Sequence, residues 1–225
     1  MNGVSLNRPW LDFDLGSEMR VLSWAINRPG FADARRIVWR EVRNADLPVD
    51  LDVTRWFAQE LEARNASDAV AFLTSRDVSR YHVAQATAAA TRADVVTTVG
   101  LSNAERVGAR MDRTGQDWGT INVAIRLNRR LTDAALLEAM SIAVEARTAA
   151  VMDADLPLAT GVATGTGTDC VAIAARRGLA AYAGLHTDIG EAVGRAVYDA
   201  VFEGARDWLT TVRAAPQLTG PAGRN

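Results

Sequence analysis

The 225-residue chain contains no lysine; its basic residues are all arginine. That excludes a lysine Schiff base and the lysine of a phosphate-binding P-loop. Cysteine is nearly absent. Cys170 stands alone, so no internal disulfide can form and nothing points to secretion. Histidine occurs only at His82 and His186, and no HExxH or comparable cluster of metal ligands is present. No GxSxG elbow is found, which removes the common serine-hydrolase pattern. No uninterrupted apolar run is long enough to cross a membrane. The opening MNGVSLNRPWLDFDLGSEMR lacks a basic stretch followed by an apolar one, so a cytoplasmic protein without a membrane partner is expected. The net charge of −2 gives no reason to expect nucleic-acid binding.

What is present is ordinary for a globular chain: 48% hydrophobic and 23% charged residues, enough to bury a sizeable core. Arg20 to Ile26 reads as a strand, Asn27 to Gly30 as a turn and Arg36 to Val42 as a second strand, with a connection of roughly ten residues between them. Leu51 to Arg64 has the spacing of an amphipathic helix capped by Asp50 or Asp52. Ala69 to Thr74, Asp94 to Leu101 and Gly119 to Leu127 read as strands, whereas Asp77 to Arg92 fits helix or strand. Two long helices are predicted, Ala134 to Asp153 and Ile189 to Leu209, each preceded by a Thr-Asp pair. The polar stretch Ser102 to Trp118 carries Arg106, Arg110 and Arg113 and reads as a mobile loop over a site. The Pro/Gly-rich residues 214–225 read as a disordered tail behind one domain spanning 1–213. The expected class is α+β, a single domain with a mixed β-sheet packed with long helices. The last apolar helix is the element that would serve a homodimer.

The segment ATGTGTDCVAIAA, residues 163–175, has the glycines and hydroxyls of an anion-binding loop. A phosphate loop leads from a strand into a helix; this one leads into the apolar run CVAIAA, a buried strand. There is also an internal echo. GTINVAI (119–125) resembles GTDCVAI (167–173), and each is followed by a loop, a Thr-Asp pair and a long helix. Two strand-to-helix units of this kind would bring their Gly-Thr loops together.

Taken in order, TVGLSNAERVG (98–108), GTINVAI (119–125), EARTAAVMDADLP (145–157), ATGTGTDCVAIAA (163–175) and YAGLHTDIGEAVGRAVYDAV (182–201) resemble the adenosylcobinamide amidohydrolase family. VLSWAINRPGF (21–31) and FLTSRDV (72–78) are similar to its N-terminal segments. The resemblance implies hydrolysis of the amide joining an aminopropanol arm to a corrin propionate. The products are adenosylcobyric acid and 1-amino-2-propanol, in cobinamide salvage. It implies a cobalt corrinoid as substrate; the residues themselves call for no cofactor of the protein's own and leave open whether a metal helps. Two departures stand out: Arg147 where the family often has lysine, and SWAINRPG in place of a small, glycine-rich motif. Arg147 keeps the charge but cannot serve as a base at neutral pH. Trp24 and Pro29 would reshape the binding surface and so alter corrinoid preference.

Amide hydrolysis needs an activated attacking group, oxyanion stabilisation and a proton for the amine. Asp169, at the junction of loop and buried strand, is the foremost acidic candidate, because desolvation there would raise its pKa. Glu145, Thr168 and His186 complete the catalytic candidates, His186 as proton donor to the amine. Thr164, Gly165, Thr166 and Gly167 offer hydroxyls and backbone N–H groups. Ser23, Asn27, Asn103 and Asn122 can both donate and accept, which suits the peripheral amides of a corrinoid. No metal ligands are assigned, and Cys170 reads as a buried small residue. Two rival readings remain open. One is a non-catalytic corrinoid-binding protein, although the DxHxxG motif of cobalt-ligating carriers is absent. The other is a nucleotide-binding enzyme using the Gly-Thr loop.

Overall fold

The computed structural model describes residues 3–48, 50–113 and 118–213. Its strands are β1 (Val4–Asn7), β2 (Trp10–Ser23), β3 (Gly30–Glu41), β4 (Val70–Thr74), β5 (His82–Ala88), β6 (Thr91–Val99), β7 (Ala104–Glu105), β8 (Ile121–Leu131), β9 (Pro157–Leu158), β10 (Gly161–Val162), β11 (Gly165–Thr166) and β12 (Cys170–Arg177). The helices are α1 (Val53–Ala63), α2 (Asp133–Asp153) and α3 (Asp188–Trp208). One mixed sheet runs β4-β3-β2-β12-β8-β6-β5, with β1 paired to β2. The α+β class is therefore the one expected. The expected disordered tail, residues 214–225, lies outside the described residues.

The helix starts follow the capping chemistry in the sequence. Thr132 Oγ1 accepts from Ala135 N at 3.1 Å, Thr187 Oγ1 from Gly190 N at 3.0 Å and Asp52 Oδ1 from Arg55 N at 3.0 Å. Each cap is worth about 1 kcal/mol. Strands β8 and β12 pair in parallel and are buried on both faces, which is why they read as apolar runs rather than alternating ones. On one face Val123, Ile125, Val171 and Ile173 pack with α2 and α3. On the other, Ala124, Cys170, Ala172 and Ala174 pack against Phe13, Ile37, Trp39 and Phe72. The β2–β4 half thus folds back over the β12–β8–β6 half and encloses a second core. Helix α1 covers the outside of β3 and β4 through Phe57 and Leu61.

Several expectations need correction. The first hairpin is longer than it reads: β2 starts at Trp10 and β3 at Gly30, so only residues 24–29 connect them. Asp77 to Arg92 resolves into a short 3-10 turn at Val78–Arg80, then β5 and the start of β6. In α3, Ile189, Val193, Val197 and Val201 are buried in the first core, so this apolar face packs within the chain. The segment read as a mobile loop is tied down over its first half. Its residues Ala104 and Glu105 pair with Thr166 and Gly165 of β11, and Val107 N donates to Thr164 Oγ1 at 2.7 Å. Residues 114–117 of that segment lie outside the described residues. No helix among the described residues is long and apolar enough to cross a membrane.

Candidate active site

The internal echo becomes a structural fact at the N-terminal ends of β8 and β12. Cys170 pairs with Asn122 and Ile173 with Ile125, so the two similar segments lie side by side in register. Their Gly-Thr loops meet. Thr120 Oγ1 donates to Thr168 O at 2.8 Å, and Thr168 Oγ1 donates to Gly119 O at 2.9 Å. Asn103 secures the junction: its Oδ1 accepts from Gly119 N at 3.1 Å and its Nδ2 lies 3.5 Å from Thr168 Oγ1. Gly119 has no room for a side chain, since a Cβ there would sit 2.6 Å from Ser102 N.

Beside this junction opens a cleft of about 330 Å³. Thr120, Asn122, Thr168, Asp169 and Cys170 line its base, Phe72, Leu73 and Thr74 of β4 one wall, and Trp24, Ile26, Arg43 and Trp118 its rim. The cleft lies where the folded-over half of the sheet meets the other half. Asn122 Nδ2 closes that seam by donating to Leu73 O at 2.8 Å.

Asp169 lies beside the cleft, but its carboxylate is turned toward α2. Along the strand it is in phase with Val171 and Ile173, which face the helices, whereas Thr168 is in phase with Cys170 and Ala172. Arg147 of α2 donates to Asp169 Oδ2, as does Thr166 N at 3.0 Å. Asp169 Oδ1 accepts from the Thr166 hydroxyl and from Ile121 N at 3.1 Å. Burial pushes the Asp169 carboxyl above the usual carboxylate range, while the Arg147 charge, the Thr166 hydroxyl and N–H, and Ile121 N pull it back down. Four donors on two oxygens describe an ionised group that fixes the loop. Cys170 is a poor nucleophile here: burial pushes its thiol up to about 12, and no histidine is near.

The remaining site candidates divide. Thr168 and Gly167 are exposed, Thr168 on the cleft. Ser23 Oγ is buried and accepts from Ala25 N at 3.0 Å. Asn27 spends both ends on the start of β4 and the residue before it, donating to Ala69 O at 2.8 Å and accepting from Ala71 N at 3.0 Å. Thr164 Oγ1 bonds Val107 N and Glu105 O. These polar groups bond to neighbouring backbone and do not line the cleft. Glu145 is exposed on α2, two residues from Arg147 and so on a different helical face. His186 is exposed in the turn before α3, at the opposite end of β12 from Asp169. The structure does not bring either to the cleft. Reading the sequence overlooked Arg43 and Trp118. Arg43's guanidinium makes no hydrogen bond or ion pair among the described residues. Nothing in periodicity marks it; only the fold places it at the rim. Among the described residues no three His, Cys, Asp or Glu side chains are grouped as metal ligands.

The cleft is lined mostly by apolar side chains, with exposed indoles at its rim and Thr120, Asn122 and Thr168 at its base. Over residues 2–212 the chain matches the CbiZ family, adenosylcobinamide amidohydrolase, and it belongs to that family. It is accordingly a hydrolase of amide C–N bonds that acts on a corrinoid. No match is found among curated proteins.

Proposed function

We propose that the cleft receives the aminopropanol arm of adenosylcobinamide and hydrolyses its amide, releasing adenosylcobyric acid and 1-amino-2-propanol. The observation that carries this reading is Thr168, an exposed residue lining an apolar cleft beside the exposed Gly167. The cleft is too small for a corrin ring and suits an arm entering from a ring held at the rim. Water adds to the amide carbonyl carbon, oriented by Thr168 Oγ1, whose proton is already committed to Gly119 O. The N–H groups of Gly167 and Thr168 face the oxyanion. The C–N bond then breaks, the amine leaves as an ammonium ion and the propionate is left as a carboxylate. Arg43, a rim cation with no ion pair among the described residues, suits that new negative charge. Asp169 and Arg147 hold the loop in place from the helix side.

The test is incubation of the protein with adenosylcobinamide and detection of adenosylcobyric acid by mass spectrometry, with and without EDTA. Product in both samples is expected. Product lost with chelator and restored by metal would require a metal the reading does not include. Tight corrinoid binding without product would make the chain a non-catalytic corrinoid-binding protein.

A further inference from the structure

Trp24 follows the last residue of β2 and stands on the cleft rim with 46% of its surface exposed. Half-exposed indoles usually give their N–H to water. This one does not: Trp24 Nε1 donates to Asp169 O at 2.7 Å. The bond reaches the loop from the side opposite Arg147, which holds the Asp169 carboxylate from α2. Asp169 is thus gripped twice, at its side chain by α2 and at its carbonyl by Trp24. The same indole lines the cleft, as does Trp118, itself 59% exposed.

We infer that Trp24 is a positioning residue that couples ring binding to the reacting loop. Its ring face meets the flat apolar surface of the corrin, and its N–H holds the Asp169 peptide so that Thr168 and Gly167 face the arm. The inference rests on the corrinoid amidohydrolase reading. Seating the ring on the indole would fix the indole, and the indole fixes the loop. Substrate binding and alignment of the amide-binding N–H groups then become one event.

Two substitutions separate the roles. Trp24→Phe keeps an aromatic face and removes the N–H. It should leave KM within about twofold and lower kcat by about tenfold, the scale of one hydrogen bond that aligns a reacting group. Trp24→Ala removes the face as well and should raise KM by about tenfold on top of that fall. A Trp24→Phe enzyme with wild-type kcat overturns the positioning role. A Trp24→Ala enzyme with wild-type KM overturns the ring contact. Equilibrium binding of adenosylcobinamide, followed by quenching of tryptophan fluorescence, is measured on all three proteins. If the wild type binds but releases no product, the amidohydrolase reading fails and the positioning role falls with it. The ring contact is then still decided, since Trp24→Ala binding as tightly as wild type would refute it.

Discussion

A Cβ built on Gly165 would lie 2.0 Å from Arg147 Nη1 and 2.6 Å from Asp169 Oδ2. Any side chain at this position must therefore push the ion pair apart or move the loop. Gly165→Ala is expected to lower kcat by at least about tenfold and to cost about 1–3 kcal/mol in stability, as overpacking does. Steady-state kinetics and urea unfolding measure the two effects. Asp169→Asn keeps the volume but turns one acceptor into a donor facing Thr166 N or Arg147. The fold should survive by circular dichroism, and kcat should fall by about a hundredfold, a loss of about 2.7 kcal/mol. Near-normal activity in Asp169→Asn would sink its assignment to the site. Burial raises the Asp169 pKa, so its protonation on acidification begins above the range of an ordinary carboxylate near ~3.9. The protonated form gives up an accepted bond, so the kcat–pH profile should show an acid limb that Asp169→Asn lacks. The sequence singled out Asp169 but not its direction. Its phase with Val171 and Ile173 shows the face only once both faces of β12 are known to be buried.

The two Gly-Thr loops show what elements add to residues. The resemblance of 119–125 to 167–173 could be read from the sequence, as could the Thr caps behind each strand. Their parallel pairing and reciprocal hydrogen bonds belong to the assembled pair of elements. Thr120→Val and Thr168→Val preserve shape and each delete one of the two reciprocal bonds, together with a longer contact to Asn122 Oδ1 or Asn103 Nδ2. Each should cost about 1 kcal/mol. Because both bonds tie the same two loops, the double variant should depart from additivity by about 0.5 kcal/mol or more, measured by urea unfolding of all four proteins. Strict additivity would mean that the loops are held independently. Other elements were not legible. The N-terminal half of β2 escapes a strand reading, although Leu11, Phe13 and Leu15 alternate with Asp12 and Asp14, because Gly16 interrupts the pattern before Arg20. The short β7 has no period to detect, since two residues paired with β11 are its whole extent.

At the scale of the molecule, the β2–β4 half must stay folded over the β12–β8–β6 half for the cleft to exist, and β8 holds it at two places. At the cleft, Asn122 reaches Leu73 O. Farther along β8, Arg126 stacks over the Phe13 ring with 5.1 Å to its centroid and donates to Asp14 O at 2.9 Å. Arg126 is aimed by Asp94 of β6, which accepts from its Nη2 at 2.8 Å and Nε at 3.1 Å. Burial works against the Asp94 charge, but hydrogen bonds from Gln85 and Arg126 and the charges of Arg126 and Arg92 outweigh it and hold its pKa below the usual value. A lowered folded-state pKa contributes stability at pH above the unfolded value of ~3.9 and loses it as pH falls through the folded value. Asp94→Asn leaves the Arg126 charge buried without its partner and should cost about 3 kcal/mol at pH 7. The difference from wild type should shrink as the pH falls below about 4, because the wild-type carboxylate is then being neutralised as well. Urea unfolding of both proteins at a series of pH values measures that difference. A gap that stays constant into acid would assign the loss to packing at Asp94 rather than to the charge that aims Arg126 across the second core.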